Sequence, residues 1–142
     1  MDRQNFQDWL DRYVGAWKTY DEGQIGALFS ADVEYRYHPH SEPVIGRAAV
    51  VASWLDGKDD PGTYDATYNV LAIDGDVHVA NGDSRYFDDQ GKLRDQYFNV
   101  YACRFNGAGE CTSFIEYWIQ GREFRKRDRE ELIGKVRAGE EV

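Results

Sequence analysis

Six large apolar side chains, Phe6, Trp9, Leu10, Tyr13, Val14 and Trp17, recur at steps of three, one, three, one and three residues. That spacing places all six on one stripe of an α-helix about three turns long. A stripe carrying four rings has to be buried against a broad apolar surface, so the helix dictates what the remaining chain must provide. Beyond residue 63 the chain provides it as long β segments separated by turn signals. GTYDATYNVLAID runs to a turn at Asp74-Gly75-Asp76, and DVHVANGDSRYF to one at Asp88-Asp89-Gln90-Gly91. Residues 93–105 and 110–120 then pair through Asn106-Gly107-Ala108-Gly109.

Between helix and strands the signals are shorter. Asp21 with Gln24 three places on resembles a capping box, opening a second helix through Ile25, Leu28 and Phe29. Val33–Tyr37 alternates as a strand that Pro39 ends. Gly46 precedes a third helix bearing Val50, Val51, Trp54 and Leu55, closed by the loop DGKDDPG at 56–62. The order predicts an α+β fold: three N-terminal helices packed in the concave side of a strongly curved, mainly antiparallel sheet. A sheet curled over a long helix leaves a conical cavity, the natural place for a ligand. Residues 1–123 form this domain. Residues 124–142 read as a charged C-terminal helix or tail, in which Asp128 and Glu131 make a second capping box and Leu132, Ile133 and Val136 a thin apolar face.

Charge narrows the partners. A net charge of −9 argues against nucleic acid and anionic membrane surfaces. No apolar run approaches the ~20 residues of a spanning helix, and the acidic, polar start is unlike a secretion signal, so a soluble cytoplasmic protein is expected. Cys103 and Cys111 flank the last hairpin turn. A two- or four-residue loop would point them to opposite faces of the sheet, as two reduced thiols. His38, His40 and Glu42 alternate, but Pro39 interrupts their shared face and no metal-binding spacing supports them; no metal and no cofactor are expected.

The strings DRYVGAW (11–17), ALFSADV (27–33), SEPVIGRAAV (41–50) and RFNGAG (104–109) resemble, in order and spacing, segments of the ketosteroid isomerases. These lie within the SnoaL-like group of the nuclear-transport-factor-two-like superfamily, whose domains are cone-shaped. The resemblance covers residues 6–120. It implies a small-molecule site, but function does not come with the fold. The family's helical tyrosine matches Tyr13, which also lies in the apolar stripe. The family's oxyanion-hole aspartate is replaced by Tyr101, whose phenol can still donate a hydrogen bond to an oxyanion. The base position falls on Tyr37 without gaps, or on His38 when the prolines are aligned. The proline register is preferred because proline pins the strand end, and it makes His38 a candidate base. The alternative is that His38 only caps the strand end or meets solvent.

Hairpin pairing puts Tyr101 opposite Phe114, Asn99 opposite Glu116 and Tyr97 opposite Trp118, on the face that the resemblance turns toward the cavity. Asn81, Asp83 and Arg85 share a face of the preceding strand, which the resemblance also turns inward. The expected pocket is walled by Trp17, Tyr35, Tyr37, Tyr97, Phe114 and Trp118 and contains Asn81, Arg85 and Asn99. Glu116 and Asp83 are alternative acid–base groups, and Arg85 would bridge one of them. The expected activity is cofactor-independent acid–base chemistry (isomerisation, cyclisation, hydration or dehydration) on an apolar carbonyl or polycyclic molecule, in a homodimer. With both family aspartates missing, ketosteroid isomerisation itself is not expected. The alternative is a non-catalytic ligand-binding or structural dimeric module.

Overall fold

The computed structural model describes residues 1–121 and 126–140. The apolar stripe lies on helix α1 (Arg3–Thr19), capped by Asp2, whose side chain accepts from the Asn5 N–H. Tyr20 ends α1 in the left-handed conformation at φ 50°. Phe6, Trp9 and Leu10 are completely buried, and each such side chain stabilises the fold by roughly 2 kcal/mol. The Trp9 indole N–H donates to the Leu28 carbonyl at 3.0 Å, so its one polar group is satisfied inside the core.

Helix α2 (Glu22–Gly26) starts at Asp21, whose carboxylate accepts from the Gln24 N–H at 2.8 Å. It is shorter than the sequence suggested. The chain turns after Gly26, and Phe29 already opens strand β1 (Phe29–Arg36). A two-residue strand β2 (Val44–Ile45) precedes helix α3 (Arg47–Asp56). Four long strands follow: β3 (Tyr64–Asp74), β4 (Val77–Phe87), β5 (Leu93–Phe105) and β6 (Cys111–Gln120). The six strands form one sheet in the order β2-β1-β6-β5-β4-β3, in which only β1 and β6 run parallel. Helix α1 packs on β3, while α2 and α3 pack together over β1. Helix α4 (Lys126–Ala138) leaves Leu132, Ile133 and Val136 exposed. Residues 122–125 and 141–142 of the expected tail lie outside the described residues.

Two irregularities set which side chains point inward. Between β4 and β5 the register shifts at Tyr86/Phe87, so Asp83 lies opposite Phe98 and Asn81 opposite Val100. One inserted residue moves every side chain of a strand to the other face. Asn81, Asp83 and Arg85 therefore lie on the outer face, and His78, Ala80 and Ser84 are the buried residues of β4. Between β5 and β6 the loop 106–110 has five residues and the register shifts at Arg104/Phe105. Tyr101 consequently pairs with Glu116 and Asn99 with Trp118, two residues beyond the expected partners and on the same face. The shift also corrects the cysteines: Cys103 and Cys111 are both buried in the core with interacting thiols, not on opposite faces.

Gly82 of β4 lies directly against the backbone of β3. A Cβ there would stand 1.8 Å from the Thr67 carbonyl oxygen and 2.8 Å from the Tyr68 Cα, so β3 and β4 approach closely only because position 82 has no side chain.

Candidate functional site

Between α1, α3 and the concave side of the sheet is a cavity of about 350 Å³. Its floor is Tyr13 from α1, Tyr35 from β1, Trp54 from α3, Tyr68 from β3, Ser84 from β4 and Tyr101 from β5, all buried. Trp17, Tyr20, Tyr37, Ser53, Gly57, Asp59, Tyr86 and Glu116 complete the wall and rim. The floor is held rigidly by ring packing. Phe114, behind the wall, stacks on Tyr35 at 4.5 Å and on Tyr13 at 5.6 Å, while Tyr13 meets Trp54 edge-on at 5.0 Å.

The polar groups form two systems. Tyr13 and Tyr35 share a hydrogen bond between hydroxyls at 3.1 Å. On the other side the Ser84 hydroxyl donates to Asn99 Oδ1 at 2.9 Å, so its oxygen is left to accept from the Tyr68 hydroxyl at 2.6 Å. Asn99 then donates through Nδ2 to Glu116 Oε1 at 2.8 Å. The bonds run in one direction, from the Tyr68 phenol to the carboxylate, and fix the Glu116 side chain by Oε1. Its Oε2 forms no hydrogen bond among the described residues and is open to the cavity.

Burial among rings pushes the Glu116 carboxyl up to about 7, against a smaller opposing effect of the Asn99 bond. Near neutral pH this group exchanges a proton readily, as a general acid or base must. Burial also raises Tyr13, Tyr35 and Tyr101 well above the usual phenol value, and Tyr68 to about 12. All four remain protonated and able to donate hydrogen bonds.

Of the residues selected from sequence, Tyr13, Trp17, Tyr35, Tyr37, Tyr101 and Glu116 line this cavity. Asn99 stands behind Glu116 and orients it, and Phe114 is packed in the core. Tyr97 and Trp118 are in contact at 5.6 Å and extend the aromatic wall past the cavity, Tyr97 touching Tyr86. His38 is a correction. Tyr37 takes the cavity position, and the exposed His38 lines an outer groove with Asp83, Phe98 and Tyr117. His38 Nδ1 accepts from the His40 backbone N–H at 3.1 Å, and Ser41 closes the turn on the His38 carbonyl. Asp83 and Arg85 pair with each other at 2.7 Å on the outer face, away from Glu116.

Sequence reasoning missed Tyr68, Ser84, Trp54, Tyr20, Tyr86, Ser53 and Asp59. For Tyr68 a signal existed: Tyr64, Ala66, Tyr68 and Val70 alternate with Asp65, Thr67 and Asn69. Asp59 carries none, as one of several acids in a loop. Its Oδ2 accepts from the Trp17 indole and the Tyr20 hydroxyl, both at 3.2 Å, and its own N–H donates to the Tyr20 oxygen at 2.9 Å. Among the described residues no group of three His, Cys, Asp or Glu side chains is placed to hold a metal ion, and no helix is long and apolar enough to cross a membrane.

No family model and no curated protein matches this sequence. Among solved structures, an NTF2-like protein of unknown function from Cytophaga hutchinsonii is similar, with a TM-score of 0.58 at 20% identity over 80% of this chain and 98% of that one. The chain thus has the NTF2-like α+β fold, as the sequence strings implied.

Proposed function

We propose that this protein binds a small apolar carbonyl or polycyclic molecule in the cone and performs cofactor-independent proton transfer on it. The observation that supports this most is Glu116: a carboxylate with one oxygen anchored and the other open to an aromatic cavity, raised to about 7. In the ionised form, Glu116 Oε2 takes a proton from the carbon beside a carbonyl. The C–H pair becomes the enolate, the proton rests on Oε2, and returning it to another carbon completes an isomerisation. Tyr13, Tyr35 or Tyr101 donates to the enolate oxygen, where a preorganised donor in a water-poor site is most effective.

The test uses bicyclic ketones such as tetralones, first ranked by thermal shift and then followed by NMR for deuterium uptake beside the carbonyl in D₂O. Exchange should exceed the buffer rate and rise with pH through a single apparent pKa near 7. Binding without exchange would reassign the cavity to a non-catalytic binding module, and no binding by any probe would remove the reading.

We also propose a homodimer formed through the outer face of the sheet. The cross-strand pairs Phe98–Ile119 and Val100–Tyr117 leave four exposed apolar side chains side by side, a patch of the kind that marks association surfaces. Sedimentation should give twice the chain mass, and a Phe98→Glu/Tyr117→Glu variant should sediment as a folded monomer. A monomeric parent would refute the interface.

A further inference from the structure

The cavity has an unusual charge inventory. Among the described residues its lining comprises seven tyrosines, two tryptophans and two carboxylates, Glu116 and Asp59, with no lysine, arginine or histidine. The acids on the outer face are balanced differently, since Asp83 and Asp65 both meet Arg85. Among the described residues no basic side chain of the lining offsets either carboxylate, and an anionic ligand would meet two like charges on a chain of net charge −9.

The rim is built around one of these acids. Trp17 and Tyr20 hold Asp59 Oδ2 from two sides, and Oδ1 carries no hydrogen bond among the described residues. Behind Trp17 stand Tyr64, at 4.5 Å between ring centres, and Tyr86, at 6.0 Å. A carboxylate held at the N–H and O–H edges of two electron-rich rings is the chemistry that recognises an organic ammonium ion, by charge and by cation–π attraction to the ring faces beside it. The rings already attract such a charge: the Lys58 ammonium lies 5.8 Å from the centre of the Tyr20 ring.

We infer that the ligand is an organic cation, an apolar molecule with a tertiary or quaternary ammonium group that docks against Asp59, Trp17 and Tyr20 at the rim. Its hydrocarbon body then lies over Tyr13, Tyr68 and Tyr101. This rests on the cavity being the ligand site and adds the chemical class of what enters it. With the carbonyl end at Glu116, the substrate is an amino ketone.

The experiment compares two isosteres by isothermal titration at pH 6.5, where both phenols are protonated: 4-hydroxyphenyltrimethylammonium and 4-tert-butylphenol, which differ in the charge at one atom. The cation should bind about tenfold more tightly. Asp59→Asn, which keeps the acceptor oxygen, should bring the two within about threefold by weakening the cation alone. Equal or tighter binding of the phenol would overturn the inference and leave the cavity's role as a ligand site intact. If neither isostere binds, the inference also falls, and neutral tetralones then decide separately whether the cavity binds ligands at all.

Discussion

Glu116→Gln is expected to make the protein more stable at pH 8 and to remove its proton chemistry. The folded-state value of about 7 lies above the ordinary carboxylate value of 4.5. Above pH 7 the group is charged in both states, so the folded state bears the cost of enclosing that charge. As pH falls from 7 to 4.5 the folded protein takes up the proton first, and the cost disappears. Glutamine is never charged, and its oxygen still accepts the Asn99 bond. The variant should therefore gain roughly 3 kcal/mol at pH 8, at about 1.36 kcal/mol per pKa unit, and nothing near pH 4. Urea unfolding at the two pH values measures both. In the ketone assay the same substitution should cost 10²- to 10⁴-fold in exchange rate, the usual worth of a positioned acid or base. His38→Gln should leave that rate unchanged, because the imidazole points out of the cavity. A Glu116→Gln protein with parental exchange, or with equal stability at both pH values, would dismiss Glu116 as the working group.

Gly82→Ala should be among the most damaging single-atom additions in the chain. The new Cβ meets the Thr67 carbonyl oxygen and the Tyr68 Cα, both backbone atoms, so no side chain can swing aside to receive it. Strands β3 and β4 would have to separate around position 82, breaking ladder hydrogen bonds and displacing Tyr68 and Ser84, the far end of the chain that anchors Glu116. A loss of about 3 kcal/mol or more is expected. Gly57→Ala is the control, because nothing lies within 4 Å of the corresponding Cβ. Denaturant melts in which the two variants lose similar stability would show that the close approach relaxes at little cost.

The fold was legible where periodicity is long. The α1 stripe, the turn signals and the alternation within β5 and β6 gave the helix, the succession of strands along the chain and the shared face of Tyr101 and Glu116, which the resemblance turned inward. The site was legible only up to the bulges. A single inserted residue near Phe87 decides whether Asp83 or Ser84 faces the cavity, and no side-chain pattern in DVHVANGDSRYF marks it. The same one-residue sensitivity exchanged His38 for Tyr37. There the proline does not mark the strand end: strand β1 stops at Arg36, and Pro39 lies in the turn beyond it. Asp59 was invisible because its role depends on two rings from the end of α1, about forty residues earlier.

The parallel pairing of β1 with β6 has a consequence during synthesis. Tyr35 lies beside Phe114, so β1, flanked on one side by the short β2, finds its neighbour on the other side only when β6 has been made. Until then a nascent chain holds α1 with its rings uncovered, β1 with an unsatisfied edge, and a growing β3–β5 meander that cannot close. Contacts so distant in sequence form slowly, because the intervening loop must be closed before they repay its entropy. Emergence of β6, and not of any earlier hairpin, should set the moment of folding. Before that moment the chain is an open sheet edge exposed to its neighbours on the same polysome.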